Sequence, residues 1–325
     1  SREMEALLTQ SAYQSVLVLW LAVVLDALWR WPLSSHPLTL MRYLVRQMGF
    51  KVLPSLNYSR SQHYISGSLA AIVLLAPLIV CLAILIYMAQ YPAFFEAVIM
   101  VALLDFAYQR HQFSKILKTV GKNKKVLTRE TVDTIVAREC TQLTDVGIAK
   151  AAIQSLWLKF LYLYCGVIFY FMLAGPIGAL TYRLLLLTSW QWHYRNPKMV
   201  HFAKPVRKLV SLLVVPPALL GCVAVLLFTH PVKGIRAVRR SKARDKTSLL
   251  LALFGGIQNI QLGGPAIYHG RKYRYPRVGG AEQVKYSDML RSKRTIVGAM
   301  AVVTAIASVC LLLIAVQTQT LSEVF

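Results

Sequence analysis

"YISGSLAAIVLLAPLIVCLAILIYM", residues 64–88, runs without one charged side chain. As a helix rising about 1.5 Å per residue, it is longer than the ~30 Å hydrocarbon core of a bilayer. The stretch reads as a membrane span, and it sets the terms for the rest of the chain. Before it, Ala12–Trp31 is a further candidate span; it lacks the basic start and small-residue cleavage site of a signal peptide and reads as retained. After it, Ala93–Tyr108 follows the short turn Gln90-Tyr91-Pro92. Leu156–Leu173 and Ile177–Trp190 form another pair, joined by Ala174-Gly175-Pro176. Leu209–Phe228 is apolar but interrupted by Pro216-Pro217, and Thr295–Val316 is the last span. The expected fold class is all-α: a polytopic integral membrane protein with about five to seven membrane-embedded helical segments and cytoplasmic amphipathic helices. No repeat or low-complexity linker divides residues 1–325, which read as a single membrane domain.

Composition agrees. Of 325 residues, 56% are hydrophobic and only 15% charged, against roughly 25% charged in ordinary globular chains. Mean hydropathy is +0.51. Thirty-seven Lys/Arg face 13 Asp/Glu, a formal charge of +24. On a membrane chain such an excess implies basic cytoplasmic loops and attraction to anionic lipid headgroups. A site for an anionic small molecule would need the same sign. No basic folding motif supports a nucleic-acid partner. The five cysteines are scattered with no C-x-x-C, and the seven histidines show no H-x-x-x-H or H-E-x-x-H spacing, so no metal site is expected from them.

Loop charge predicts orientation. The uncharged turns at 90–92 and 174–176 are expected outside; the basic stretches 31–63, 109–155 and 191–208 are expected in the cytoplasm. One conflict arises. Residues 230–246 carry Lys233, Arg236, Arg239, Arg240, Lys242, Arg244 and Lys246 against Asp245 alone. If 209–228 crossed fully, that cluster would lie outside. Because proline breaks the helix ladder, a re-entrant hairpin at 209–228 with both ends cytoplasmic is expected; a span that defies the charge rule is the alternative. Residues 109–155 read as a cytoplasmic helical segment. Thr128 could cap one helix, with Val132, Ile135 and Val136 on its face. Thr144 or Asp145 could start another, with Ile148, Ala149, Ala152, Ile153 and Leu156 on its face. Residues 230–294 read as a cytoplasmic basic segment containing the Gly-rich loop "QLGGPAIYHGRKYRYPRVGG" (261–280).

"ARECTQLTDVGIAKAAIQS" (137–155) resembles the adenosylcobinamide-phosphate synthase family of cobalamin biosynthesis, CobD/CbiB, which has a stretch like GRDTSxLDExGIARAAVES. Arg138, Leu143, Gly147, Ile148, Ala149, Ala151, Ala152 and Ser155 match; Glu139 and Lys150 are like-charge replacements. "LDALWRWPLSSHP" (25–37) is similar to the family's N-terminal Asp followed by His-Pro, "YRN" (194–196) to its loop after the fifth span, and "QLGGPAIYHG" to its LGGP-x-x-Y-x-G. AmpE-type membrane signalling proteins are a more distant analogy. The resemblance implies a bacterial inner-membrane protein. It also implies a reaction joining an aminopropanol or its phosphate to a corrinoid carboxylate with ATP and Mg²⁺.

The family's acids are another matter. Its run like ESxAENxxD sets acids four residues apart on one helix face; here that face carries Gln154, Leu158 and Tyr162, with Lys159 at the Asn. Its RLDD falls on Lys208, Leu209, Val210 and Ser211, its GDP on Arg30-Trp31-Pro32, and its SPNAG on Arg244–Ser248. Mg²⁺ needs oxygen ligands, so the resemblance implies a retained scaffold with the catalytic set lost. ATP and Mg²⁺ are expected only if synthase activity survives.

The candidate residues follow. Asp26, His36 and Glu139 are candidate catalytic groups. Tyr194, Arg195, Asn196, Gly263, Gly264, Pro265, Tyr268, His269 and Arg271 are candidate ligand-binding groups; no metal ligand is expected. Glycines let backbone approach a ligand, and successive N–H groups can cradle an anion. Asp105, an intramembrane acid, reads either as functional or as a structural partner of Arg183 or Lys159. Three functions stay open: a non-catalytic relative that binds a ligand or acts in signalling or assembly, an active synthase, or a lipid-binding or transport role. Expected partners are the bilayer with its anionic headgroups, a corrinoid or other anionic small molecule, and a second copy or membrane partner protein.

Overall fold

The computed structural model describes the backbone of residues 2–121, 145–193, 196–268 and 271–325, and side chains over 13–121, 146–193, 196–264 and 276–325. The expectations for Thr128, Val132, Ile135, Val136, Glu139, Thr144, Tyr194, Arg195 and His269 lie outside the described residues, as do the side chains of Pro265, Tyr268 and Arg271. Among the described residues the fold is all-α apart from one β-hairpin. In chain order come α1 (Arg2–Leu28), α2 (Pro37–Val52), α3 (Arg60–Met88), α4 (Pro92–Leu104), α5 (Phe106–Gly121), α6 (Asp145–Lys159) and a π-helical turn (Phe160–Cys165). Then follow α7 (Gly166–Gln191), α8 (Lys204–Leu213), α9 (Val215–Phe228), α10 (Pro231–Arg240), α11 (Lys246–Gln258), β1 (Gln261–Tyr268), β2 (Arg271–Gly279) and α12 (Tyr286–Val324). Five helical stretches are long and apolar enough to cross a membrane: Arg60–Met88, Pro92–Gly121, Val146–Gln191, Lys204–Phe228 and Tyr286–Val324. Tyr13–Leu28 is a shorter apolar helix. The protein is a multi-pass membrane protein.

Caps and prolines start the helices where the sequence supplies them. The Ser59 hydroxyl accepts from the Gln62 amide at 3.3 Å and opens α3. Asp245 does the same for α11 through the Ser248 amide at 3.1 Å, and Asn259 ends that helix in the left-handed conformation. Pro37 and Pro92 occupy the first turns of α2 and α4, where a missing N–H costs nothing. Pro77 sits inside α3, a placement that membrane helices tolerate.

The chain packs as two units. The first comprises residues 1–105, 163–217 and 304–325. In it α1 lies against α4, burying Val18, Leu19, Ala22 and Asp26 along one stripe. Trp192 is fully buried and donates its indole N–H to the Val45 carbonyl at 2.9 Å. Gly49 leaves room for that ring, since a Cβ there would lie 2.3 Å from Nε1. Inside α7, Ala174 and Gly175 leave helical geometry just before Pro176. Gly166 and Tyr182 would stand about 24 Å apart on a straight helix. Yet a Cβ on Gly166 would fall 2.3 Å from the Tyr182 ring, and Tyr170 stacks on Tyr182 with centroids 4.7 Å apart. So α7 doubles back at 174–176 as two antiparallel helices.

The second unit comprises residues 106–162 and 218–303. Its centre is Trp157, stacked on Phe254 at 4.7 Å and donating to the Leu250 carbonyl at 2.9 Å. Ile148, Ala149, Ala152, Ile153 and Leu156 are all buried along α6. A Cβ on Gly256 would sit 2.4 Å from that of Ala237, so glycine lets α10 and α11 touch closely. The Gly-rich stretch is an antiparallel hairpin, β1 against β2, with a bulge between Gly263 and Pro265. Leu262 and Val278 face each other across it and are both buried. The apolar pair anchors the strands and the bulge absorbs the glycines.

Candidate functional site

Charged groups gather at one buried place in the first unit. His36 caps α2: its Nδ1 accepts from the Leu38 amide at 3.0 Å. An imidazole whose Nδ1 accepts must carry its proton on Nε2 when neutral. That Nε2 lies 3.5 Å from Asp105 Oδ1. Burial first, then the charges of Arg42 and Arg183, hold the His36 pKa down to about 4. The ring is therefore neutral near pH 7, with Nε2–H turned to the carboxylate. The Trp31 ring covers it at 5.1 Å.

Asp105 joins α4 to α5 at φ 39° and ψ 31°, the left-handed region, where Asp is among the few tolerated side chains. That backbone turns a carboxylate into the protein at the end of an apolar helix. Arg42 Nη2 stands 3.8 Å from its Oδ2, and Asp26 and Arg183 lie within electrostatic reach. Arg183, on α7, is only 2% exposed and lies over Trp190 with 5.8 Å to the ring centroid. Its Nε and Nη1 meet no hydrogen-bond acceptor among the described residues. The 3.5 Å and 3.8 Å contacts are too long for tight hydrogen bonds. Arg183 thus keeps two buried N–H groups without an acceptor, in a cluster that also holds the carboxylates of Asp26 and Asp105.

A second place lies in the other unit. Gly263 and Gly264 both take positive φ, 82° and 95°. A Cβ on Gly263 would strike the Pro276 carbonyl at 2.3 Å, whereas one on Gly264 would meet only Lys150 Nζ, at 3.7 Å. The structure thus brings Lys150 of "GIAKAA" beside the first glycines of "LGGP". Asn196, in the first unit, serves a turn: its Oδ1 accepts from the Lys198 amide at 3.2 Å.

Of the sequence candidates, Asp26 and His36 come together in the ionic cluster. Gly263 and Gly264 come together at the hairpin. Asp105 pairs with His36 and Arg42, with Arg183 close, and does not stand alone. Arg42 was not anticipated. The one signal for it is that residues 27–95 contain no Asp or Glu, so a half-buried Arg there must find its acid from another element. No three His, Cys, Asp or Glu side chains converge among the described residues. The α6 face offers half-buried Gln154, Leu158, Lys159 and, in the π-helical turn, Tyr162. Asp26 and Asp105 share their site with two guanidiniums. These donor sets do not fit a divalent cation beside a nucleotide.

The CobD/Cbib protein family matches residues 19–296. The chain belongs to the CobD/CbiB family. Its similarity to individual members is low throughout. It is 28% identical to the cobalamin biosynthesis protein CobD of Chromobacterium violaceum over 87% of this chain and 92% of that one. It is 25% identical to the CobD of Rhizobium meliloti over 82% and 87%, and 30% identical to that of Stutzerimonas stutzeri over 46% and 51%. No solved structure matches. The chain is a divergent CobD/CbiB homologue, and the resemblance carried by residues 137–155 and 261–270 belongs to a match that runs through most of the molecule.

Proposed function

We propose that this CobD/CbiB-family membrane protein no longer carries out the family ligation and instead binds an anionic small molecule, in a sensing or assembly role. The α6 face carries this reading. Where the family sets carboxylates four residues apart, the chain has Gln154, Leu158 and Tyr162, with Lys159 among them. A lysine and apolar groups repel or ignore Mg²⁺ rather than hold it. The two buried N–H groups of Arg183 without an acceptor support the ligand class. The bacterial inner membrane is the compartment this reading assumes.

One observation favours the active synthase instead: similarity extends over 92% of the C. violaceum CobD, and Asp26 and His36 are both buried, each within electrostatic reach of Asp105. Complementation separates the two. A synthase-deficient strain fed cobyric acid and expressing this chain is expected not to grow, and growth would overturn the non-catalytic reading. Titration of the purified protein with cobyric acid tests the binding half. Saturable binding, weakened about tenfold or more by Arg183→Lys because a point charge replaces a planar fork, is the expected result. Equal binding by both proteins would remove Arg183 from the site.

A further inference from the structure

A cleft of about 290 Å³ lies between α3, α7 and α8 in the first unit, near the lower end of the ~300–1,000 Å³ typical of ligand clefts. Its lining is mostly apolar and includes Ala71, Ile72, Leu75 and Ile79 of α3, Leu185 of α7 and Leu209 of α8. From Ser68 to Ile79 the cleft follows α3 for about 16 Å at 1.5 Å per residue, close to half of a ~30 Å hydrocarbon core. That is the length of one acyl chain.

The end of the cleft at the start of α3 is polar and cationic. Ser68 donates to the Tyr64 carbonyl one turn back. Lys204, adjacent in sequence to the lining residue Pro205, donates to the Tyr64 hydroxyl at 3.1 Å. His201 packs edge-on to Tyr64 and His63. The charges of Arg60, Lys204 and Lys208 all reach Tyr64. Burial first, then the charges of Arg60 and Lys204, lower the His201 pKa.

Among the described residues, no acid answers this charge. No Asp or Glu occurs at 27–95 or 146–244, so α3, α7 and α8 contain none. Among the described residues, no carboxylate pairs with Arg60, Lys204 or Lys208. An apolar slot one acyl chain long, ending in interfacial aromatics and in cations that pair with no described carboxylate, has the polarity of an anionic phospholipid. We infer that the cleft between α3, α7 and α8 is a specific site for an anionic phospholipid, its chain along Ala71–Ile79 and its phosphate at Lys204, Arg60 and Lys208. Charge complementarity sets it apart from the ordinary lipid annulus and from an apolar peptide.

The test is native mass spectrometry of the full chain in neutral detergent, with dioleoyl-phosphatidylglycerol, dioleoyl-phosphatidylcholine and inorganic phosphate as separate probes. One phosphatidylglycerol is expected to be retained at least tenfold more tightly than phosphatidylcholine, and phosphate alone not to bind. Ile72→Trp and Leu209→Trp, at exposed lips of the cleft, should weaken phosphatidylglycerol about tenfold. Lys204→Gln and Lys208→Gln should erase the preference between the two lipids while leaving phosphatidylcholine unchanged. Equal retention of the two lipids by the wild type overturns the proposal. Phosphate binding as tight as the lipid overturns the acyl-chain part. If a Trp variant does not fold, the Lys208→Gln comparison at the exposed mouth decides alone: an undiminished preference there counts against the site.

Discussion

His36 shows how one residue can hold two jobs through its two nitrogens. Nδ1 is committed to the first turn of α2, which leaves Nε2–H to face Asp105. Folding holds the imidazole at a pKa of about 4, against 6.5 unperturbed. Between those values the unfolded chain binds a proton that the folded one refuses, so stability falls as pH drops from about 6.5 to about 4. The full loss is on the order of 3 kcal/mol. Above pH 6.5 the residue contributes no pH dependence. His36→Asn keeps a capping side chain and removes the titration. Its melting temperature should change less than that of the wild type between pH 7 and pH 4.5, and an identical decline in both would show that another group controls acid sensitivity. The sequence pointed to His36 and Asp26 through their order in the chain, and to Asp105 because an acid in an apolar run is costly. It offered Arg183 as one of two partners for Asp105 but gave no sign that Asp26, His36 and Arg42 join them, since the five residues come from four separated segments: α1, the start of α2, the end of α4, and α7.

At the scale of elements, the reversal inside α7 depends on Gly175. Its φ of 70° and ψ of −164° lie in a region open essentially to glycine alone. No atom would contact an added Cβ there, so Gly175→Ala isolates conformational strain from crowding. We expect a loss of about 1–3 kcal/mol, read as a lower melting temperature in detergent; an unchanged value would mean that the turn has another solution. Leu156–Leu173 and Ile177–Trp190 were legible as two apolar runs because Ala-Gly-Pro combines a small residue, a φ-permissive one and a helix breaker. The hairpin at 261–279 was less legible. Its glycines and prolines read as a loop, although Lys272-Tyr273-Arg274-Tyr275 alternates with the period of a strand. The pairing of Leu262 with Val278 decides the matter, and that contact joins residues on opposite sides of the turn.

At the scale of the molecule, charge is distributed unevenly along the chain, and this bears on sidedness. The acid-free stretches 27–95 and 146–244 contain much of the Lys/Arg excess. The expected arrangement places Arg60, Lys204 and the 230–246 cluster on the cytoplasmic side, and the turns at Tyr91 and Gly175 outside. In a cysteine-free background, Tyr91→Cys should react with an impermeant maleimide in intact cells. Arg240→Cys should react only after permeabilisation. Labelling of Arg240→Cys in intact cells would place the end of Lys204–Phe228 outside and discard the re-entrant reading of 209–228.

By itself the sequence determined that this chain lives in a membrane, roughly where its spans fall, and which family it belongs to. Those properties follow from transfer energies that add along a contiguous run and from motifs that keep their order. The tertiary structure alone decided that Asp26, His36 and half-buried Arg42 gather with Asp105 and Arg183, that Lys150 meets Gly264, and that an acid-free slot ends at Lys204. Coulombic and hydrogen-bond energies depend on distance and direction in space, and those are set only when helices distant in sequence pack side by side.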